Sequence, residues 1–66
     1  MKDLPSYDNA DVLERIVCRI HSLRDRRILV DKLIHGLTYE QVAEVYDLSV
    51  SQTKRIVKKG IHEVFK

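Results

Sequence analysis

Apolar residues recur at helical spacing along most of this chain. Val12, Leu13, Ile16, Val17, Ile20 and Leu23 form one stripe, with Glu14, Arg15 and Arg19 outside it. The spacing predicts a helix over residues 8–23. Asp8 or Asn9 can serve as its N-cap, and Asp11 lies near its positive end. Ile28, Leu29, Val30, Leu33 and Ile34 predict a second helix over 24–35, closed by Gly36 in a left-handed conformation. Residues 1–7 contain the only proline, Pro5, and show no periodicity, so they read as an arm or cap. Ile28-Leu29-Val30 is short enough to pass for a strand, but the wider window keeps the helical period.

Two shorter helices follow, each with its own start signal. Thr38-Tyr39-Glu40-Gln41 and Ser49-Val50-Ser51-Gln52 are capping boxes, in which a hydroxyl and a glutamine satisfy each other's backbone amides. Val42, Ala43, Val45 and Tyr46 continue the first, and Asp47-Leu48 interrupts it. Thr53, Ile56, Val57, Ile61, Val64 and Phe65 make the apolar side of the second, with Phe65 expected to close the core. Gly60 falls inside that helix and is expected to weaken or end it, at about 1 kcal/mol relative to alanine. The two boxes begin eleven residues apart, which is helix-turn-helix spacing. Ala43 is small enough for the second helix to cross close by, and Leu48 can plug the space under both. Thr53 points inward, where its hydroxyl should weaken the core slightly. The expectation is an all-α bundle of about four helices in one domain over 1–66. Its helix-turn-helix spans 38–59, and 60–66 form a C-terminal extension.

Composition narrows the function. A chain of 66 residues buries only about 60% of the surface its unfolded form exposes. Its 44% hydrophobic content still suffices for a core, and 33% charged residues imply a densely ionic surface. A net charge of +2 is a weak signal, but its distribution is uneven. Lys54, Arg55, Lys58, Lys59 and Lys66 face a single acid, Glu63, near the C-terminus, whereas Asp3, Asp8, Asp11 and Glu14 outnumber Lys2 near the N-terminus. Cys18 is the only cysteine, which excludes an intramolecular disulfide and a cysteine-rich zinc site; it reads as a small residue at the core edge. His21, His35 and His62 are too scattered for a ligand set, so no metal or other cofactor is expected. His35 reads as a helix C-terminal residue. Two glycines cannot build a nucleotide cradle, and Ser49 and Ser51 have no activating base, so no enzyme is expected. No apolar run approaches membrane length and no signal-peptide pattern opens the chain, which predicts a cytoplasmic protein without membrane contact.

The last helix keeps one unassigned face: Ser49, Ser51, Gln52, Lys54, Arg55, Lys58 and Lys59. Short polar groups near the helix start, followed by cations, suit a helix laid in a DNA major groove. Serine and glutamine approach bases and phosphates, while lysine and arginine neutralise phosphates or read guanine. The free amides at the helix start can also hold a phosphate. A charge run alone is equally well explained as a solvated face. Two capping boxes at motif spacing favour DNA. Arg24, Arg26 and Arg27 could touch the DNA backbone, but they read first as surface ion pairs with Asp25, Asp31 or nearby acids; Tyr39 and Tyr46 read as core or interface residues.

Gly36-Leu37-Thr38-Tyr39-Glu40-Gln41-Val42-Ala43-Glu44, followed by Leu48-Ser49-Val50-Ser51 and Lys54-Arg55, resembles the fourth region of bacterial sigma factors. It is also similar to short sigma-like regulators of phages and mobile elements in Gram-positive bacteria. The preceding Leu23 to Leu29 resembles the helix that leads into that motif. The likeness implies sequence-specific binding of double-stranded DNA in transcription regulation, through a recognition helix over 50–59. It also implies RNA polymerase as a partner. The turn position that the family often fills with glycine is Asp47 here, which still tolerates the left-handed conformation. The chain has no room for the other sigma regions, so the expectation is a detached reader, a repressor or activator, or a polymerase-binding decoy. Two alternatives remain open: an interaction module for polymerase or a sigma/anti-sigma partner, and a small phage DNA-packaging protein. The apolar stripe of 8–23 can also pair two copies, placing two reading helices on half-sites about one turn apart.

Overall fold

The computed structural model describes residues 8–66; the arm expected over 1–7 lies outside the described residues. Four helices follow in order: α1 (Asn9–Arg19), α2 (Leu23–Leu33), α3 (Tyr39–Val45) and α4 (Val50–Val64). No strand occurs among the described residues. The all-α architecture is the one that the periodicity predicts.

Every helix begins with a side-chain oxygen that accepts from the amide three residues on. Asp8 accepts from Asp11 at 2.9 Å, Ser22 from Asp25 at 3.3 Å, Thr38 from Gln41 at 3.1 Å and Ser49 from Gln52 at 3.0 Å. Both capping boxes close reciprocally, because the Gln41 and Gln52 side chains accept from the amides of Thr38 and Ser49 at 2.9 and 3.0 Å. Caps of this kind contribute about 1 kcal/mol each.

The first helix is shorter than its stripe suggested. Ile20 is extended, with φ −108° and ψ 119°, and Ser22 caps a new helix that starts at Leu23. The expected bounds 8–23 and 24–35 therefore become 9–19 and 23–33. Leu23 leaves the first stripe and stands 70% exposed. Arg26 stabilises this break. Its guanidinium donates to the carbonyls of Ile20 and Val17, which a helix end leaves without partners. It is thus a helix-end cap, not the surface ion pair expected, whereas Arg24 does pair with Asp25 at 3.3 Å. At the far end of α2, Gly36 adopts φ +75° and lets the Leu37 amide reach the Asp31 carbonyl at 3.1 Å. His35 lies just beyond the helix and is exposed.

The core gathers Ile16, Ile28, Leu29, Val42, Val57 and Val64, all fully buried, with Val12, Ile20 and Ala43 nearly so. α4 packs on each of the other three helices. Three apolar expectations shift. Leu13 and Val17 are about half exposed, because α2 and α4 cover the Val12–Ile16–Ile20 side of α1. Phe65 is 39% exposed at the helix end, and Val64 closes the core in its place. Cys18 is exposed instead of lying at the core edge.

Gly60 does not end its helix: α4 runs through it to Val64, and Gly60 is buried. A Cβ there would lie 2.5 and 2.7 Å from the two methyls of Leu29 and 3.0 Å from its Cγ. The missing side chain is what lets α4 lie so close to α2. Thr53 costs the core little, because its buried hydroxyl donates to the Ser49 carbonyl at 3.0 Å. Asp47 takes the left-handed turn with φ 55°, and the Leu48 amide bonds the Ala43 carbonyl at 2.8 Å. Two longer ties complete the frame. The Tyr46 hydroxyl donates to Asp31 at 2.7 Å, and Arg15 donates to the Val64 carbonyl at 2.9 Å.

Candidate nucleic-acid interface

The geometry of α4 follows from its buried residues. Thr53, Val57, Gly60 and Val64 line one side and are all buried. At about 100° per residue, Ser51, Arg55 and Lys58 then point directly away from the core. Lys54 lies on the flank toward α3, and Gln52 and Lys59 lie on the opposite flank. All seven predicted residues, Ser49, Ser51, Gln52, Lys54, Arg55, Lys58 and Lys59, are exposed.

They divide by what else they do. Ser49 and Gln52 are engaged in the capping box, where the Ser49 hydroxyl also approaches the Gln52 carbonyl oxygen at 3.2 Å. Their first role is to shape the helix start, while the Gln52 amide nitrogen remains a donor facing outward. Ser51, Arg55, Lys58 and Lys59 make no hydrogen bond or ion pair within the described residues. Lys54 rests near the Tyr39 ring, with its ammonium 5.7 Å from the centroid.

Cations dominate this face near the start of α4. The first turn of α4 carries no acid, so nothing opposes its dipole or its free amides. Glu63, the one acid on α4, is at the far end and pairs with Lys66 at 3.6 Å. Lys59 and Arg55 also border a cleft with Arg19, His21, Asp25 and Glu63, where the charges are mixed.

Sequence reasoning left two features out. His62 is exposed and lies on the same outward line as Arg55 and Lys58. Its spacing of four from Lys58 was the available signal. Lys32 of α2 brings its ammonium to 4.7 Å from the same Tyr39 ring that Lys54 approaches. Only the packing of α2 beside α3 reveals that neighbourhood.

Elsewhere the described residues offer no group of three or more histidines, cysteines or acids that could hold a metal ion. No described helix is long and apolar enough to cross a membrane.

A comparison with protein families agrees with this geometry. The family model for sigma-70, region 4, matches residues 22–66, about two thirds of the chain. The match begins at Ser22, the cap of α2, and takes in the whole helix-turn-helix. No curated protein and no solved structure matches the chain. Sigma-70 region 4 is a DNA-binding helix-turn-helix domain, not a catalytic one. With its capped α3 and α4, its left-handed turn at Asp47 and its basic outer face, this chain belongs to the sigma-70 region 4 family.

Proposed function

We propose that the protein reads double-stranded DNA sequence-specifically and regulates transcription, with α4 in the major groove. The observation that carries this reading is the outer face of α4. Four cations, Lys54, Arg55, Lys58 and Lys59, stand exposed there with no acid before Glu63. Ser51, Arg55 and Lys58 face the base edges. Lys54 and Lys59 flank them and address the two phosphate walls. Ser49 and Gln52 hold the helix start in shape. The protein works in the cytoplasm and uses no cofactor.

The test is duplex binding over a salt series, for wild type, Lys54→Glu/Arg55→Glu, and a Lys2→Glu/Lys66→Glu control with the same change in net charge. Wild-type affinity should fall linearly in log–log form through counterion release. The Lys54/Arg55 variant should lose at least about a hundredfold, given about 1–3 kcal/mol per good base contact plus the reversed charges. The control should stay within a few-fold. A duplex selected from a random pool should bind about a thousandfold more tightly than the pool. Equal losses in both variants, or no selectable site, would remove the reading.

A second reading has its own observation. Leu13, Val17 and Leu23 form an exposed apolar groove between α1 and α2, with Arg27 on its rim. That surface suits a protein partner, and RNA polymerase is the partner the family favours. Val17→Glu should then abolish polymerase capture and leave duplex affinity unchanged. Should the groove pair two copies instead, sedimentation at high micromolar concentration would give the mass of a dimer, and Val17→Glu would return it to one chain.

A further inference from the structure

A cleft of about 490 Å³ opens between the short linker that joins α1 to α2 and the flank of α4 that carries Lys59. Its size lies within the range of about 300–1,000 Å³ that small-molecule sites occupy. Ile20 of the linker and Ile56 and Gly60 of α4 supply an apolar floor. Ile20 and Gly60 are buried there, and Ile56 is half-buried. The cleft exists because Ile20 is extended, with φ −108° and ψ 119°, so the chain leaves the axis of α1 before Ser22 starts α2.

The rim of the cleft is charged, and its charges are unevenly satisfied. Arg19, Arg55 and Lys59 stand exposed on it, and none of them makes a hydrogen bond or ion pair among the described residues. The two acids are already engaged: Asp25 pairs with Arg24 at 3.3 Å and Glu63 with Lys66 at 3.6 Å. Unmet cations around an apolar floor are complementary to an anion that has an apolar body. A guanidinium presents parallel N–H donors that match a carboxylate bidentately, and two of these cations are arginines. The body matters as much as the head, because an exposed ion pair alone contributes little. Covering Ile20 and Ile56 adds the burial of apolar surface that the head lacks.

We propose that this cleft binds a small organic carboxylate with an apolar body, which takes Arg55 and Lys59 away from DNA and so places duplex binding under ligand control. The carboxylate sits among Arg19, Arg55 and Lys59, and the body lies on Ile20 and Ile56. The coupling to DNA rests on the reading of α4 as the DNA-facing helix; the binding of the carboxylate does not. Arg55 and Lys59 serve one anion at a time, so ligand and duplex each weaken the other by the same factor. Arg19 belongs to the ligand site alone.

The probe is naphthoate, with naphthylmethanol as its neutral counterpart and acetate as a head without a body. Backbone amide shifts of the full chain are followed by NMR, and duplex affinity is measured in parallel at matched ionic strength. Naphthoate should shift the amides of Ile20, His21, Ile56 and Gly60 and saturate with a Kd on the order of 1 mM or below. Acetate and naphthylmethanol should bind at least about tenfold more weakly, the worth of one charge-assisted hydrogen bond or of the apolar body. Saturating naphthoate should weaken duplex binding severalfold. Arg19→Ala, checked for folding by its melting curve, should lose about tenfold in naphthoate affinity and keep the duplex affinity and salt slope of wild type. Shifts spread equally over Lys54 and Lys58, or equal binding of naphthylmethanol, overturn the site. A salt slope lowered by about 0.9 in Arg19→Ala without the probe means that the rim holds DNA phosphate, and the proposal falls. Cleft shifts with unchanged duplex affinity overturn the ligand control and spare the reading of α4. No duplex binding by wild type, with the cleft shifts intact, overturns that reading and the coupling, while the carboxylate site stands.

Discussion

Replacing Gly60 with alanine sets local helix preference against packing between helices. Within α4 alone, alanine is favoured over glycine by about 1 kcal/mol. The surroundings reverse the sign. The new Cβ would stand 2.5 and 2.7 Å from the Leu29 methyls, whereas carbon atoms prefer about 3.5–4.0 Å. Two contacts are therefore short by about 1 Å each, and Cγ at 3.0 Å is tight as well. Leu29 is fully buried, so it cannot swing into solvent. Either it leaves its rotamer or α4 lifts from α2, and overpacking of this kind costs about 1–3 kcal/mol. Set against the helix gain, Gly60→Ala should lose about 1 kcal/mol. In a domain of this length that is a fall of about 4–8 °C in Tm.

The assay is thermal and urea unfolding followed by circular dichroism, with a second background to isolate the contact. Leu29→Ala alone should cost about 2–5 kcal/mol through its cavity. In that background the added methyl meets space, so Gly60→Ala should become stabilising by up to about 1 kcal/mol. The two substitutions should thus couple by about 1–2 kcal/mol. A Gly60→Ala variant that melts above wild type refutes the reasoning, as does a Gly60→Ala effect that is identical in both backgrounds.

The Tyr46 hydroxyl has its pKa pushed from 10.0 up to about 12, first by burial and then by the hydrogen bond and charge of Asp31, with Arg27 opposing. The folded value exceeds the unfolded one, so the stabilisation is complete below pH 10 and lost as pH rises toward 12. The loss should be about 1–2 kcal/mol, less than the full shift implies because the ring is part-solvated, and urea midpoints across that range should show it shrinking in Tyr46→Phe. Ser49→Ala should cost about 1 kcal/mol of stability by unfolding at equilibrium and, on the proposed reading of α4, should also weaken duplex binding, since the cap shapes the start of that helix. Asp8→Ala, at the start of α1, should cost a similar stability with duplex affinity unchanged.

The parts of the fold that were legible in the sequence are the local ones. A cap reaches three residues, so Thr38, Gln41, Ser49 and Gln52 declare both helix starts, and Asp47 declares the turn. What lies between elements was not legible. Leu23 continued the apolar period of Ile16 and Ile20, which hid the break that Ser22 and Arg26 make. Leu13 and Ile16 belong to one stripe, and only the placement of α2 and α4 decides which is buried. Gly60 looked like a helix defect because propensity describes a helix alone. The outer face of α4 was legible because its inner face was. The meeting of Lys32 with Lys54 at Tyr39 was not, since no period links α2 to α4.

That dependence of the outer face on the inner one carries the functional argument. Thr53, Val57, Gly60 and Val64 fix the rotation of α4 by four separate fits. Rotating the helix by one residue, about 100°, toward the α3 flank would bring Lys54 and Lys58 into the core and turn Thr53 and Gly60 outward. Burying two unpaired ammonium groups costs several kcal/mol each, more than a domain of this size can lose and stay folded. The cations therefore face outward as a consequence of how the core is filled, not through weak surface preferences. Thr53 strengthens this reasoning. A hydroxyl at a buried position is tolerated only because the Ser49 carbonyl, one turn back on the same helix, accepts from it. That carbonyl belongs to the residue whose side chain caps α4, so the inner fit and the shape of the helix start depend on one another. The basic face is thus oriented by the core itself, with the rotation of α4 set during folding.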